Sequence, residues 1–251
     1  MEELCGMVPS DRDYAVKLTG GVVVFCDPPT YPTREEAQIL QQSGFHIAIG
    51  MHPKQASLYT DADHAAFLER LSFPGVRVFG EIGVDYSVEP ARWANQHVLL
   101  DKVLKHLQPF HVLVLHARAI QGDQTGVGYI QLLFQLKGVV PTTQKIHLHC
   151  FEGTTEVMNR WTEEFPNTYF GFTGLVGSFN TASKEALRSL NPDRLLLETD
   201  APYFHIGGRR YSSPGLIGMV AKMIADIRKE TWSHVLEAAS RNARRLYEDT
   251  Q

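Results

Sequence analysis

The chain is 251 residues long, 43% hydrophobic, and carries a formal net charge of −4 from 24 basic and 28 acidic residues. Such a length and apolar content suit one α/β domain and exclude a disordered chain, while the near-neutral charge means that any nucleic-acid contact must be local. Three cysteines without metal-ribbon spacing, an acidic start (MEELCGMVPSDRDYAV) with no apolar signal segment, and no stretch of membrane-spanning length lead us to expect an intracellular protein, cytoplasmic or nuclear.

In chain order, the first predicted strand is VVVFCD (22–27), followed by a helix over 33–43 that opens on a Thr with a Glu three residues on and stops before Gly44. The strand HIAIGMH (46–52) precedes a helix over 61–72 that puts Ala65, Leu68 and Leu71 on one face. VRVFGE (76–81) leads to a longer helix over 92–107, and HVLVLH (111–116) to one over 129–136. KIHLHC (145–150), YFGFT (169–173) and LLLETD (195–200) are separated by helices over 155–164 and 183–190, and two further helices, 215–229 and 233–247, close the chain. Phe-Pro-Gly, Phe-Pro-Asn and Asn-Pro-Asp turns precede three of the strands. No repeat, linker or low-complexity segment interrupts this alternation, which predicts a single domain over 1–251.

Nearly every strand ends in a residue able to bind metal or move a proton: Asp27, His52, Glu81, His116, His149, Thr173 and Asp200. The strands are apolar on both faces, as in a parallel sheet covered by helices. Polar groups at the C-terminal ends of successive parallel strands are how a TIM (β/α)8 barrel builds its active site. An open doubly wound sheet shares the alternation but more often carries a glycine-rich phosphate turn after its first strand, and CDPPTYPT is not one.

Glu81, His116, His149 and Asp200 mix imidazole and carboxylate donors suited to a divalent ion such as Mg, Mn or Zn. A carboxylate can bridge ions, and a final Asp can both bind metal and take a proton from an attacking water. His147 shares a strand face with His149, so one of the two is expected deeper, packing or supporting the ligands. His52, in GMHP, fits a ligand, a substrate contact or a turn-stabilising role beside Pro53. His46, His64, His97, His106 and His234 are expected to carry no chemistry.

Gly50-Met51-His52-Pro53, Gly80-Glu81-Ile82-Gly83-Val84-Asp85, His116-Ala117-Arg118, His149-Cys150-Phe151 and Glu198-Thr199-Asp200-Ala201-Pro202-Tyr203 stand in the order found in TatD-type deoxyribonucleases, and Asn242 with Leu246 and Tyr247 resembles that family's C-terminal helix. The resemblance spans about Val22 to Tyr247. It implies a metal-dependent hydrolase on a TIM barrel that cleaves phosphodiester bonds in DNA, at single-stranded ends. Glu81, His116, His149 and Asp200 would be the ligands, Arg118 and His52 would face the substrate phosphate, and Asp85 would support the ligand shell. Asp200 would act as the base, and Arg118 would stabilise the added negative charge.

The family's first strand ends in a His-x-His pair, whereas the first histidine here is His46; upstream lie Cys5, Asp11, Asp13, Cys26 and Asp27. VVVFCD aligns with the second barrel strand, so the resemblance implies a barrel lacking strand one and half of one metal site. The segment HIGGRRYSSPG after Phe204 also departs from the family pattern. Two further possibilities stand beside the phosphodiesterase: a catalytically inactive remnant acting as a binding or regulatory protein, and a hydrolase of amides or esters. Backbone groups left open by an absent strand would favour self-association.

Overall fold

The computed structural model describes residues 14–120, 122–123, 125–204, 206 and 210–248; Cys5, Asp11, Asp13 and Arg209 lie outside the described residues. The chain falls into two compact units, one built on residues 20–149 and 160–168, the other on residues 14–19, 150–159 and 169–248. No described helix is long and apolar enough to cross a membrane.

The first unit contains β1 (Gly21–Phe25), β2 (Phe45–Ile49), β3 (Val78–Asp85), β4 (Val112–Arg118) and β5 (Lys145–His149), which pair in parallel and in chain order. Between them run α1 (Arg34–Gln42), α2 (Asp61–Leu71), α3 (Trp93–Leu104) and α4 (Val127–Leu136). Thr33 caps α1 as expected: its hydroxyl accepts from Glu36 N–H while the Glu36 carboxylate accepts from Thr33 N–H, so two otherwise orphaned donors are satisfied. Thr60 and Asp63 repeat the device at α2. The buried face of α2 differs from expectation, because Phe67 is fully buried while Ala65 is exposed. The aromatic ring removes far more surface from water than a methyl and packs edge-on against Phe79, with ring centroids 5.5 Å apart.

β1 stands apart from its neighbours. Ile47, Ala48 and Ile49 of β2 are fully buried, but no residue of β1 is, and Val24 is 40% exposed. Among the described residues β1 pairs with β2 alone, and no described strand lies against its other edge.

The second unit contains β6 (Thr168–Phe172), of which Thr168 falls in the first, β7 (Leu195–Leu197), α6 (Thr181–Ser189), α7 (Ile217–Arg228) and α8 (Trp232–Tyr247). α5 (Thr155–Glu164) begins in this unit and ends in the other. β6 and β7 are parallel, and β7 is short; Glu198 N–H still donates to Phe172 O at 2.9 Å, so pairing outlasts regular geometry by one residue. Asn242, fully buried on α8, donates to the carbonyls of Pro192 and Leu195 at 2.7 and 2.8 Å, which ties the helix to the start of β7.

β3 continues four residues beyond the predicted end at Glu81. Gly80 and Gly83 serve close approach, at φ 145° and 144°. A Cβ on Gly83 would lie 2.0 Å from His116 O, and one on Gly80 would lie 2.4 Å from Val114 O. The glycines let β4 continue alongside β3 to the level of Asp85 and Arg118.

Candidate metal centre

Three adjacent strands of the first unit build the centre. Val114 and His116 on β4 stand opposite His147 and His149 on β5. Period-two alternation therefore puts His116 and His149 on the same face at the same level. On β3 the register shifts between Phe79 and Ile82, one extra residue against β4, and Glu81 sits in this irregularity. Such bulges re-aim side chains beside functional sites. Here the bulge brings Glu81 to the two histidines: Oε1 lies 2.5 Å from His116 Nδ1, and Oε2 lies 3.9 Å from His149 Nε2. One donor atom from each of Glu81, His116 and His149 lies within 4.8 Å of the others.

Asp85, at the end of β3 and fully buried, takes the other side of His116: its Oδ2 lies 3.0 Å from His116 Nε2. Its Oδ1 accepts from Ser87 N–H at 2.9 Å and from the Ser87 hydroxyl at 2.5 Å. Lys54 Nζ stands 3.5 Å from Oδ2. With carboxylates facing both ring nitrogens, His116 must donate twice and is an imidazolium in the absence of a metal. Burial by itself would lower its pKa, but Glu81 and Asp85 override this and raise it. Burial would raise Glu81, yet His149, His116 and His52 hold it well below the usual carboxylate range. Asp85 is likewise held low, against its burial, by hydrogen bonds from His116 and Ser87.

His52 caps the 3-10 turn Pro53–Leu58, its Nδ1 accepting from Lys54 N–H at 3.1 Å. The neutral ring therefore carries its proton on Nε2, which lies 3.8 Å from Glu81 Oε1. Burial, reinforced by His116, pushes its pKa down to about 4, so it stays neutral at pH 7. His52, Asp85 and His116 form a second cluster with metal-ligand spacing, but the protonated Nε2 and the nearby Lys54 ammonium disfavour a cation there.

The donor set of Glu81, His116 and His149 fits a divalent ion. The proton between His116 Nδ1 and Glu81 stands where a cation is favoured, and Asp85 on the far nitrogen is the carboxylate that orients a ligating histidine. His147 is buried two residues before His149, ring centroids 6.5 Å apart, and stands outside both clusters. Arg118 ends β4 opposite Asp85, half-buried, two residues beyond His116 on the same strand face. Asp200 belongs to the second unit, in the turn after β7, with φ 46°.

Sequence reasoning missed Ser87 and Lys54 as partners of Asp85. It also gave no role to Glu198, whose Oε2 accepts from Cys150 N–H at 2.9 Å. Cys150 has φ 48°, a left-handed backbone just after His149. The Asp85-x-Ser87 spacing is an Asx-turn signal that could have revealed the first of these.

The sequence matches the profile of a family described as TatD related DNase over residues 10–248. It is 32% identical over 240 residues to the human 3'-5' RNA nuclease TATDN2, covering 92% of this chain but only 30% of that protein. It is 28% identical over 242 residues to the metal-dependent hydrolase YabD of Bacillus subtilis (strain 168), covering 94% of this chain and 90% of that one. Among solved structures, the TatD homologue YJJV of Escherichia coli K12 superposes with a TM-score of 0.76 at 22% identity, covering 91% of this chain and 86% of that one. That likeness establishes the fold as the α/β barrel type expected, with seven strands among the described residues.

Proposed function

The chain belongs to the TatD related DNase family, and from that premise we propose that it is a metal-dependent hydrolase cleaving phosphodiester bonds in DNA, with 1–251 acting as one hydrolase domain. The observation that carries this is the cluster of buried Glu81 and His116 with half-buried His149, all within 4.8 Å by donor atom, with Asp85 behind His116. Glu81, His116 and His149 would hold a divalent ion, which supplies Lewis acidity toward water and a phosphoryl oxygen. Asp85 keeps the His116 ring oriented and its Nε2 protonated. His52, neutral and protonated on Nε2, donates a hydrogen bond toward a phosphate oxygen. Arg118 offers paired guanidinium donors to the same phosphate and stabilises its added charge. Asp200 is carried from the family resemblance alone: its place in Glu198-Thr199-Asp200 matches the family pattern, by which it would be a further ligand and would accept a proton from the attacking water.

The Glu81, His116 and His149 group offers three protein ligands with open positions, which suffice for one ion. Failure to take up any tight ion after chelation and reloading would refute this ligand set. The decisive test of function is cleavage of single-stranded DNA with and without Mn²⁺, in the unmodified protein and in Glu81→Ala. Metal-dependent cleavage abolished by the substitution supports the proposal; a well-folded protein that never cleaves points to the inactive remnant. Single-stranded RNA in parallel separates DNA from RNA specificity.

A further inference from the structure

Asp85 holds His116, but the sheet itself holds Asp85 on one side only. Toward β4, Tyr86 N–H donates to Arg118 O at 2.9 Å. Alternation along a strand then turns Asp85 N–H and C=O the other way, toward β2. β2 ends at Ile49, and the last main-chain bond from that segment to β3 is Met51 N–H to Glu81 O at 2.8 Å. At the level of Asp85 no strand remains on that side among the described residues. Gln96 of α3 stands in its place: its Oε1 accepts from Asp85 N–H at 2.7 Å, and its Nε2 donates to Asp85 O at 2.8 Å. The amide mimics one residue of a neighbouring strand, donor and acceptor together, and is 1% exposed.

We propose that Gln96 is a positioning residue for the metal centre: by clamping both main-chain groups of Asp85 it fixes the direction of that carboxylate, which fixes the His116 ring. The coupling is short. Gln96 holds the Asp85 backbone, Asp85 Oδ2 holds His116 Nε2, and His116 Nδ1 faces Glu81. The inference rests on Glu81, His116 and His149 being the ion's ligands. A second buried amide offers the comparison: Gln144, 2% exposed, donates through Nε2 to His111 O, a main-chain carbonyl of no site residue.

The test compares Gln96→Met with Gln144→Met. Mn²⁺ affinity is measured by calorimetric titration, and the ring N–H protons of His116 are observed by nuclear magnetic resonance in the metal-free protein. Gln96→Met should weaken Mn²⁺ binding about 10- to 100-fold, the usual effect of losing an outer contact of a metal site. It should also shift or broaden the His116 Nε2–H signal, while Gln144→Met changes neither. Gln96→Glu, which keeps an acceptor for Asp85 N–H, should fall between; it carries the same comparison if Gln96→Met does not fold. Unaltered affinity with an unaltered His116 signal overturns the proposal. An unmodified protein that binds no Mn²⁺ overturns the ligand assignment instead, and the His116 signal of the variants then decides for or against the clamp.

Discussion

Glu81→Gln tests the metal centre through stability rather than turnover. Glu81 is the carboxylate of the ligand group, 6% exposed and directed at both His116 and His149. The amide keeps the side chain's size, and its oxygen still accepts from His116 Nδ1, so the chelated variant should fold. It loses the anionic donor, and the affinity for Mn²⁺ should drop by at least about 100-fold, or about 2.7 kcal/mol. An ion at 100 times its dissociation constant stabilises the native state by about 2.7 kcal/mol, whereas at one dissociation constant it adds about 0.4 kcal/mol. In a chain of this size 1 kcal/mol moves Tm by about 2–4 °C. Mn²⁺ added to the chelated protein should therefore raise Tm by about 5–10 °C in the unmodified chain and by about 1 °C in Glu81→Gln. Thermal unfolding followed by circular dichroism, with the same Mn²⁺ series on both proteins, measures it. Equal shifts in the two would refute the assignment of Glu81 as a ligand.

Three further outcomes are expected. Gly83→Ala would put a Cβ 2.0 Å from a main-chain oxygen at φ 144°; overpacking and backbone strain together should cost about 3–5 kcal/mol in urea unfolding. Gly138→Ala, at φ 78° with open space around it, should cost only about 1 kcal/mol, and similar losses in both would contradict the close approach of β3 and β4. Burial lowers the His111 pKa from 6.5 to about 4, so its contribution to stability is complete above pH 6.5 and is lost as pH falls toward 4. At most about 3 kcal/mol is at stake, and His111→Asn, which still offers an acceptor to Gln108 N–H, should show correspondingly less acid destabilisation; parallel pH profiles would count against this. The open edge of β1 should make the protein self-associate in sedimentation experiments, and Val24→Lys should suppress it; a monodisperse unmodified monomer would remove that expectation.

The amino-acid sequence by itself determined the strand and helix alternation, the α/β class and which residue types crowd the strand ends. These are local properties: apolar runs bounded by turn residues, a Thr-x-x-Glu cap, and His or Glu where a strand stops. The pairing of His116 with His149 follows from nearly the same logic, because parallel strands in register put equivalent ends side by side. The aim of Glu81 was a tertiary matter. It depends on an extra residue in β3 against β4 and on two glycines that let the backbones approach, features that an apolar run ending at Glu81 does not reveal. The charge on His116 was decided the same way, since only the fold puts a carboxylate on each of its nitrogens. The Gln96 clamp on Asp85 lay furthest from sight. A buried glutamine on an apolar helix has no periodic signature, and its function arises because β2 ends too early to satisfy the backbone of β3.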